Sequence, residues 1–150
     1  MKNPKLSRLS LLTLLAALLA FPAVADDVAD VKKLIESSYI HGAFNALDPD
    51  AMDRGFHPDF AIFSPKGEDI RKYPIADWVS RTRERKADPE FDAAANKWEH
   101  NFASVDVTGD SASAKVELSK DGKLVYTDYL SLLRFESGWR IVAKVYHKHP

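Results

Sequence analysis

Two long strands joined by a tight turn are predicted by the stretch LVYTDYLSLLRFESGWRIVAKVYH, residues 124–147. The turn falls at Glu136-Ser137-Gly138, and Trp139 follows it directly. A strand pair of this length curves as its strands twist, so that it can wrap around a hydrophobic core. The stretch therefore indicates a domain built around a strongly bent antiparallel sheet.

Three helices are predicted before the long strands, an order typical of an α+β domain. The first covers about residues 27–45, where apolar side chains recur at spacings of three and four. The second has Asp48 as its N-cap and Pro49 in its first turn, and Pro58 is expected to end it. The third begins near Pro74, with a buried face that includes Trp78 and Val79.

Turn and alternation signals divide the rest of the chain into strands. A short strand is predicted at residues 60–63, and residues 87–96 are expected to be a loop. The apolar alternation that begins at Trp98 changes phase between Phe102 and Ala103, which suggests a β-bulge. Asp121-Gly122 is a strong hairpin signal. Helices packed on one face of this bent sheet would form a cone with an open mouth.

Both faces of the long hairpin are partly apolar. One face of its first strand carries Tyr126, Asp128, Leu130, Leu132 and Arg134, and the other carries Val125, Thr127, Tyr129, Ser131, Leu133 and Phe135. On the last strand, Trp139, Ile141, Ala143 and Val145 form one predicted apolar row, with Trp139 in the core. Because the outer face would also be partly apolar, we expect a second subunit to cover it.

The N-terminus has the pattern of a secretory signal peptide. Lys2, Lys5 and Arg8 precede an apolar segment, and Ala23-Val24-Ala25 is a small-residue cleavage site. Residues 9–24 are too short to span a bilayer, which takes roughly 20 residues. We therefore predict a signal peptide at residues 1–25, one domain at residues 26–150, export to the periplasm or medium, and no membrane attachment after cleavage.

Composition favours a domain that folds by packing alone and binds no nucleic acid. Cleavage would leave 18 Lys plus Arg against 22 Asp plus Glu, a formal charge of −4, and the chain has no cysteine. The one basic cluster, at residues 81–86, lies where the third helix should end, and cations are favourable there.

No strong catalytic or metal-binding motif occurs in the sequence. It contains no G-x-S-x-G, no P-loop and no glycine-rich dinucleotide turn. Among the five histidines only His147-x-His149 has a ligand-like spacing. We therefore expect no metal ion and no cofactor.

Two groups of residues could take part in catalysis or in ligand binding. The block from Phe56 to Asp59 could place His57 or Asp59 at the mouth of the cone as an acid, a base or a hydrogen-bonding group, or it could be a structural corner. Asp128, inside an apolar strand, could pair with Lys144 on the next strand. That pair could line the cone, or it could be an ion pair on the solvated face of the sheet.

Tyr39, the Phe56–Asp59 block, Trp78 and the long hairpin together resemble the putative lumazine-binding family, within the nuclear-transport-factor-2-like superfamily of cone-shaped α+β domains. The resemblance implies a pocket for a small, partly aromatic molecule and dimerisation through the sheet. The candidate ligand-binding residues are Tyr39, His57, Trp78, Trp98, His100, Asp128 and Lys144. We expect an exported small-molecule-binding domain. The alternatives are an isomerase, dehydratase or hydrolase that uses acid–base residues in the cone, and a dimeric interaction module.

Overall fold

The computed structural model describes residues 21–150, which form three helices and one curved, unclosed sheet of six strands. The elements are α1 (Phe21–Leu34), which continues into a π-helix (Ile35–Asn45), α2 (Pro49–Gly55), β1 (Phe56–Lys66), β2 (Asp69–Pro74), α3 (Ile75–Lys86), β3 (Glu99–Thr108), β4 (Ser111–Lys120), β5 (Lys123–Phe135) and β6 (Gly138–Lys148). The predicted α+β cone is therefore confirmed.

The strands are ordered β2-β1-β6-β5-β4-β3 across the sheet. All neighbours are antiparallel except β1 and β6, which are parallel, so the predicted antiparallel sheet has one parallel pairing. The main core lies between the helices and one sheet face. It includes Val31, Ile35 and Val79 from the helices and Val116 and Leu132 from the strands.

The first helix begins earlier than predicted and changes its winding. It starts at Phe21 rather than near residue 27, and Pro22 falls in its first turn, where proline is tolerated. Its second half is a π-helix, in which the Ala46 N–H donates to the His41 carbonyl at 2.9 Å, five residues earlier. The predicted cleavage site falls inside α1, and the predicted basic segment lies outside the described residues.

The second helix has the predicted start but not the predicted end. The Asp48 carboxylate accepts from the N–H groups of Asp50 and Ala51 at 3.1 and 3.2 Å, which confirms the N-cap. The helix ends at Gly55, three residues before Pro58. A Cβ atom added at Gly55 would lie 2.2 Å from the Ser38 side chain. The π-helix and α2 therefore approach closely at Gly55.

The first two strands differ most from the prediction. Strand β1 covers eleven residues rather than the four predicted, and β2 was not predicted. Strand β2 contains charged and exposed side chains with no apolar alternation, as is usual at a sheet edge. The predicted third helix and the loop at residues 87–96 are confirmed.

The predicted bulge and hairpin turn of the central strands are both present. Phe102 pairs with Val116 and Ser104 pairs with Lys115, which leaves Ala103 as the extra residue. At the next turn, Asp121 and Gly122 have φ of 52° and 74°. Positive φ at both positions is the requirement of a type I′ hairpin turn.

A second bulge, not predicted, changes the faces of β6. Leu132 pairs with Ile141 and Ser131 pairs with Ala143, so Val142 has no partner on β5. The predicted apolar row is therefore wrong beyond Ile141. Ala143 and Val145 lie opposite the outer face of β5, whereas Lys144 and Tyr146 lie opposite its inner residues Leu130 and Asp128.

Candidate functional site

A pocket of about 370 Å³ lies where the end of the π-helix, α3 and four strands meet. Half of its ten lining residues are aromatic, and two are arginines. The lining residues are Ala43 and Phe44 from the π-helix, Ile62 and Ser64 from β1, Arg71 and Tyr73 from β2, Trp78 and Arg85 from α3, Tyr126 from β5 and Tyr146 from β6.

The rings on one side of the pocket support each other by contact. Phe44 meets Trp98 edge to face, with ring centroids 5.2 Å apart. Trp98 stacks on Tyr126 at 5.9 Å with an interplanar angle of 25°, and Tyr126 meets Tyr146 edge to face at 5.9 Å. These contacts fix the orientation of the pocket-lining rings without a ligand.

Two asparagines anchor this aromatic side to the helix end. The Asn45 Oδ1 accepts from the Trp98 N–H at 2.7 Å, and the Asn96 side chain donates to the Phe44 carbonyl. The end of the π-helix is thereby joined to the segment that enters β3. Phe44 and Trp98 are held in their backbone positions by these amides.

Beneath the pocket, three polar side chains form a buried triad: Tyr39, Asp128 and Lys144. Their exposed fractions are 0%, 0% and 5%. The Tyr39 hydroxyl donates to Asp128 Oδ2 at 2.5 Å and accepts from Lys144 Nζ at 2.5 Å. Lys144 Nζ also lies 2.9 Å from Asp128 Oδ1, as an ion pair. This Oδ1 receives no hydrogen bond of good geometry from residues 21–150.

Aromatic rings surround the Lys144 ammonium group. Its Nζ is 4.9 Å from the ring centroid of Tyr39, 5.1 Å from that of Tyr146, 5.6 Å from Trp78 and 5.7 Å from Phe44. Such distances are within the range of cation–π attraction. Three of these rings also line the pocket, so the triad lies directly under the pocket floor.

Burial shifts the proton affinities in the triad. It raises the pKa of Tyr39 well above 10.0, and the adjacent Asp128 charge adds to this rise. Burial also lowers the pKa of Lys144, although the attraction of Asp128 opposes the change. The pKa values of Tyr73 and Tyr126 are raised, again chiefly by burial, so both phenols are neutral hydrogen-bond donors at neutral pH.

Comparison with known proteins assigns the chain to a family. A family profile described as putative lumazine-binding matches residues 26–147. The chain belongs to this family. No curated protein matches the chain by sequence.

Solved structures support the same fold. An NTF-2-like protein of unknown function from Silicibacter pomeroyi is 26% identical, with 83% of this chain and 98% of that chain covered and a TM-score of 0.65. An NTF2-like protein of unknown function from Shewanella baltica is 24% identical, with coverages of 84% and 96% and a TM-score of 0.66. A third, from Methylobacillus flagellatus, is 24% identical, with coverages of 83% and 94% and a TM-score of 0.61.

Five of the seven residues predicted as ligand-binding lie in or beside the pocket of this family member. Trp78 lines it, Tyr39, Asp128 and Lys144 lie beneath it, and Trp98 packs behind Tyr126. The solvated outer face was the alternative location for Asp128 and Lys144, and their burial excludes it.

The two predicted histidines lie elsewhere. His57 stacks on Phe135, with ring centroids 4.9 Å apart, and its Nδ1 accepts from the Asp59 N–H at 3.1 Å. His100 Nε2 lies 3.5 Å from a carboxylate oxygen of Glu36. Neither side chain lines the aromatic pocket, and these contacts fit a structural role for the Phe56–Asp59 block.

Several pocket residues were not predicted from the sequence. Arg71 and Tyr73 lie on β2, the strand without an apolar pattern. Arg85 belongs to the basic cluster at residues 81–86, whose position at the end of α3 was attributed to the helix dipole. Tyr146 faces inward only because of the Val142 bulge. Tyr126 is the one missed pocket residue that the sequence could have indicated, because it shares a strand face with the candidate ligand-binding residue Asp128.

Within residues 21–150, no group of three or more His, Cys, Asp or Glu side chains is arranged to hold a metal ion. No helix of the described chain has the length and apolar character needed to cross a membrane.

Proposed function

We propose that this protein is an exported small-molecule-binding domain whose ligand is a flat, partly aromatic molecule held in the aromatic pocket. The observation that carries the proposal is the pocket itself, at about 370 Å³ with five aromatic side chains in its lining. Ligand sites usually measure about 300–1,000 Å³ and combine apolar walls with a few polar groups. A cone filled by its own side chains, as expected of a pure interaction module, would leave less space.

Family membership also supports ligand binding, because the family is described as putative lumazine-binding. Lumazine is a flat bicyclic compound, and rings of this shape can stack on aromatic side chains. Trp78 and Tyr126 offer such surfaces from α3 and β5. Ser64 adds a hydroxyl that can donate or accept a hydrogen bond.

A second candidate function is acid–base catalysis in the same cavity. The triad favours it, because a buried lysine with a lowered pKa beside a tyrosine and a carboxylate can hold and transfer a proton. Binding without catalysis has more support. Lys144 and Tyr39 bond to each other and to Asp128, and none of the three lines the pocket.

Ligand binding can be tested by two-dimensional NMR of the ¹⁵N-labelled protein with matched fragments. One set contains flat bicyclic aromatics, including lumazine and 2-naphthamide, and the other contains their ring-saturated counterparts. We expect the aromatic fragments to shift the amide signals of Phe44, Tyr73 and Tyr126 and the saturated ones to have little effect. Shifts scattered over the surface, or no shifts at millimolar fragment, would contradict the proposal.

A pair of variants sharpens this experiment. Trp78→Ala removes a pocket wall and should weaken binding of the responding fragment about tenfold, which corresponds to about 1.4 kcal/mol. Phe63→Ala is the matched control, because Phe63 lies between Ile62 and Ser64 on β1 but does not line the pocket. Equal loss of binding in both variants would indicate a general effect on folding.

Export is the second part of the proposal. It rests on Lys2, Lys5 and Arg8, the apolar segment and the Ala23-Val24-Ala25 site. When the gene is expressed in a bacterium, the protein recovered from the periplasm or medium should have the mass of a chain that begins at Asp26. Full-length protein in the membrane fraction would contradict cleavage.

We further propose that the domain is a homodimer that pairs through the outer face of its sheet. The apolar side chains Tyr129, Leu133, Phe135 and Val145 are 48%, 41%, 38% and 49% exposed, and they support this proposal. Exposed apolar side chains that cluster on one face are typical of an interaction surface.

A further inference from the structure

The lining of the aromatic pocket carries an excess of positive charge. Arg71 from β2 and Arg85 from the last turn of α3 both line it. In the described part of the chain, neither guanidinium forms an ion pair, whereas Arg81 pairs with Glu84 and Arg134 with Asp27. Two arginines without an ion-pair partner in the described part of the chain therefore line the same aromatic pocket.

Acidic residues are missing from the pocket wall. None of the ten lining residues in the described part of the chain is Asp or Glu. Asp77 and Glu84 are close enough to Tyr73 to affect its pKa, yet neither lines the cavity. The triad below adds little net charge, because Lys144 is paired with Asp128 at 2.9 Å.

Overall composition does not explain this local charge. Residues 26–150 have 18 basic and 22 acidic side chains, so that an average surface patch of this domain is slightly negative. A pocket with two cations and no anion therefore departs from the rest of the molecule. Complementary charge across a binding surface favours one class of ligand and disfavours its opposite.

We propose that the ligand of this pocket is an aromatic carboxylate, with its ring system against Trp78 and Tyr126 and its acid group against Arg71 and Arg85. Guanidinium groups match carboxylates in shape, because each can donate two parallel hydrogen bonds to the two oxygens. The phenol of Tyr73 is a further neutral donor in the same wall. This inference rests on the proposed ligand-binding function and specifies the chemical class of the ligand.

Isothermal titration of the folded protein with two probes tests the proposal. The probes are 2-naphthoate and 2-naphthamide, which share a ring system and differ in charge. We expect naphthoate to bind at least about tenfold more tightly than the amide. This preference should decrease as sodium chloride is raised, because exposed charges are screened by salt.

Substitution of the arginines locates the effect. Arg71→Gln and Arg85→Gln should each weaken naphthoate binding about tenfold and leave naphthamide binding within about twofold. The matched controls are Lys72→Gln, next to Arg71 on β2, and Arg83→Gln, two residues before Arg85 on α3. Both remove one positive charge outside the pocket lining and should change naphthoate binding less than about twofold.

The possible results separate this inference from the proposed function. If both probes bind wild type equally well, the charge preference is overturned and aromatic binding stands. If neither probe binds, both proposals fail. A naphthoate preference that survives in both arginine variants, or that falls equally in the two controls, would overturn the assignment to Arg71 and Arg85.

Discussion

Lys144 Nζ lies 2.9 Å from Asp128 Oδ1, although the two residues are not direct partners in the β5–β6 hairpin. Lys144 pairs with Leu130 and Asp128 pairs with Tyr146, so the ion pair crosses the strands diagonally. Long side chains can reach such diagonal neighbours. The Tyr39 hydroxyl completes the contact from the π-helix, and this joins the helical layer to the sheet through polar groups inside the core.

Replacement of Lys144 by methionine should destabilise the protein strongly. Lys144→Met keeps an unbranched apolar stem but leaves the buried Asp128 carboxylate without its cation. Loss of one partner of a buried ion pair typically costs about 3–5 kcal/mol. Urea unfolding followed by tryptophan fluorescence should show this decrease in the free energy of unfolding.

Two further variants check that interpretation. Arg81→Ala breaks the exposed pair with Glu84 and should cost under about 1 kcal/mol. The double variant Asp128→Leu/Lys144→Met should recover much of the lost stability, because no buried charge then remains unpaired. A loss below about 1 kcal/mol in Lys144→Met would show that the pair contributes no more than a surface contact.

Tyr39 should make the protein sensitive to alkali. Its pKa is raised above the ordinary 10.0, so the native state keeps the phenol protonated where the unfolded chain loses the proton. Stability from this group is therefore fully present below pH 10 and decreases as the pH rises toward the native pKa. The stability advantage of wild type over Tyr39→Phe should shrink above pH 10.

Urea unfolding of wild type and Tyr39→Phe at a series of pH values measures this effect. Lys144 acts in the opposite direction, because its lowered pKa makes native stability rise with pH up to 10.5. Lys144 is present in both proteins, so the comparison removes most of its contribution to the pH dependence. An advantage that stays constant through pH 10–11 would contradict the shift assigned to Tyr39.

Local signals in the sequence were sufficient for most of the fold. Asp48 and Pro49 gave the start of α2, the phase change after Phe102 gave the β3 bulge, and Asp121-Gly122 gave the β4–β5 turn. Each of these signals depends on a few neighbouring residues. Strand β2 has no such signal, because a strand at an exposed sheet edge does not need apolar side chains on alternate residues.

The site was less predictable, because it depends on contacts between distant parts of the chain. Trp78 and the Asp128–Lys144 pair could be proposed from their types and places on strands and helices. The inward direction of Lys144 and Tyr146 depends on the bulge at Val142. No residue pattern in the sequence predicts this bulge. Arg71 and Arg85 reach the same pocket only because β2 and α3 fold against each other.

Trp139 should be a major contributor to stability. It is 9% exposed, belongs to the core and carries the Arg134 guanidinium over its ring at 4.6 Å. Trp139→Ala should lower the free energy of unfolding by about 3–5 kcal/mol, the range for truncation of a large buried aromatic. A loss under about 1 kcal/mol in urea unfolding would mean that the side chain is effectively exposed.

Thr82 offers a stabilising substitution. It is 1% exposed on α3, and its Oγ1 has no hydrogen-bond partner in the part of the chain that the structure describes. Thr82→Val keeps the shape and removes a buried polar atom, so stability should rise by about 1 kcal/mol. Thr127→Val is the matched control, because Thr127 Oγ1 bonds His149 Nε2 at 2.9 Å and its loss should be destabilising. Equal effects of the two substitutions in thermal unfolding would contradict this assignment.

If the protein is the proposed homodimer, wild type should have twice the chain mass in light scattering at micromolar concentration. Its interface should bury at least about 1,000 Å². Tyr129→Asp places a charge on the apolar outer face, where desolvation of a carboxylate is costly, and should give a folded monomer. Ile70→Asp is the matched control. Ile70 is 69% exposed on β2, at the far edge of the sheet from β5, and its substitution should leave the dimer intact. A monomeric wild type, or dissociation by Ile70→Asp instead of Tyr129→Asp, would show that the outer face of β5 and β6 is not the interface.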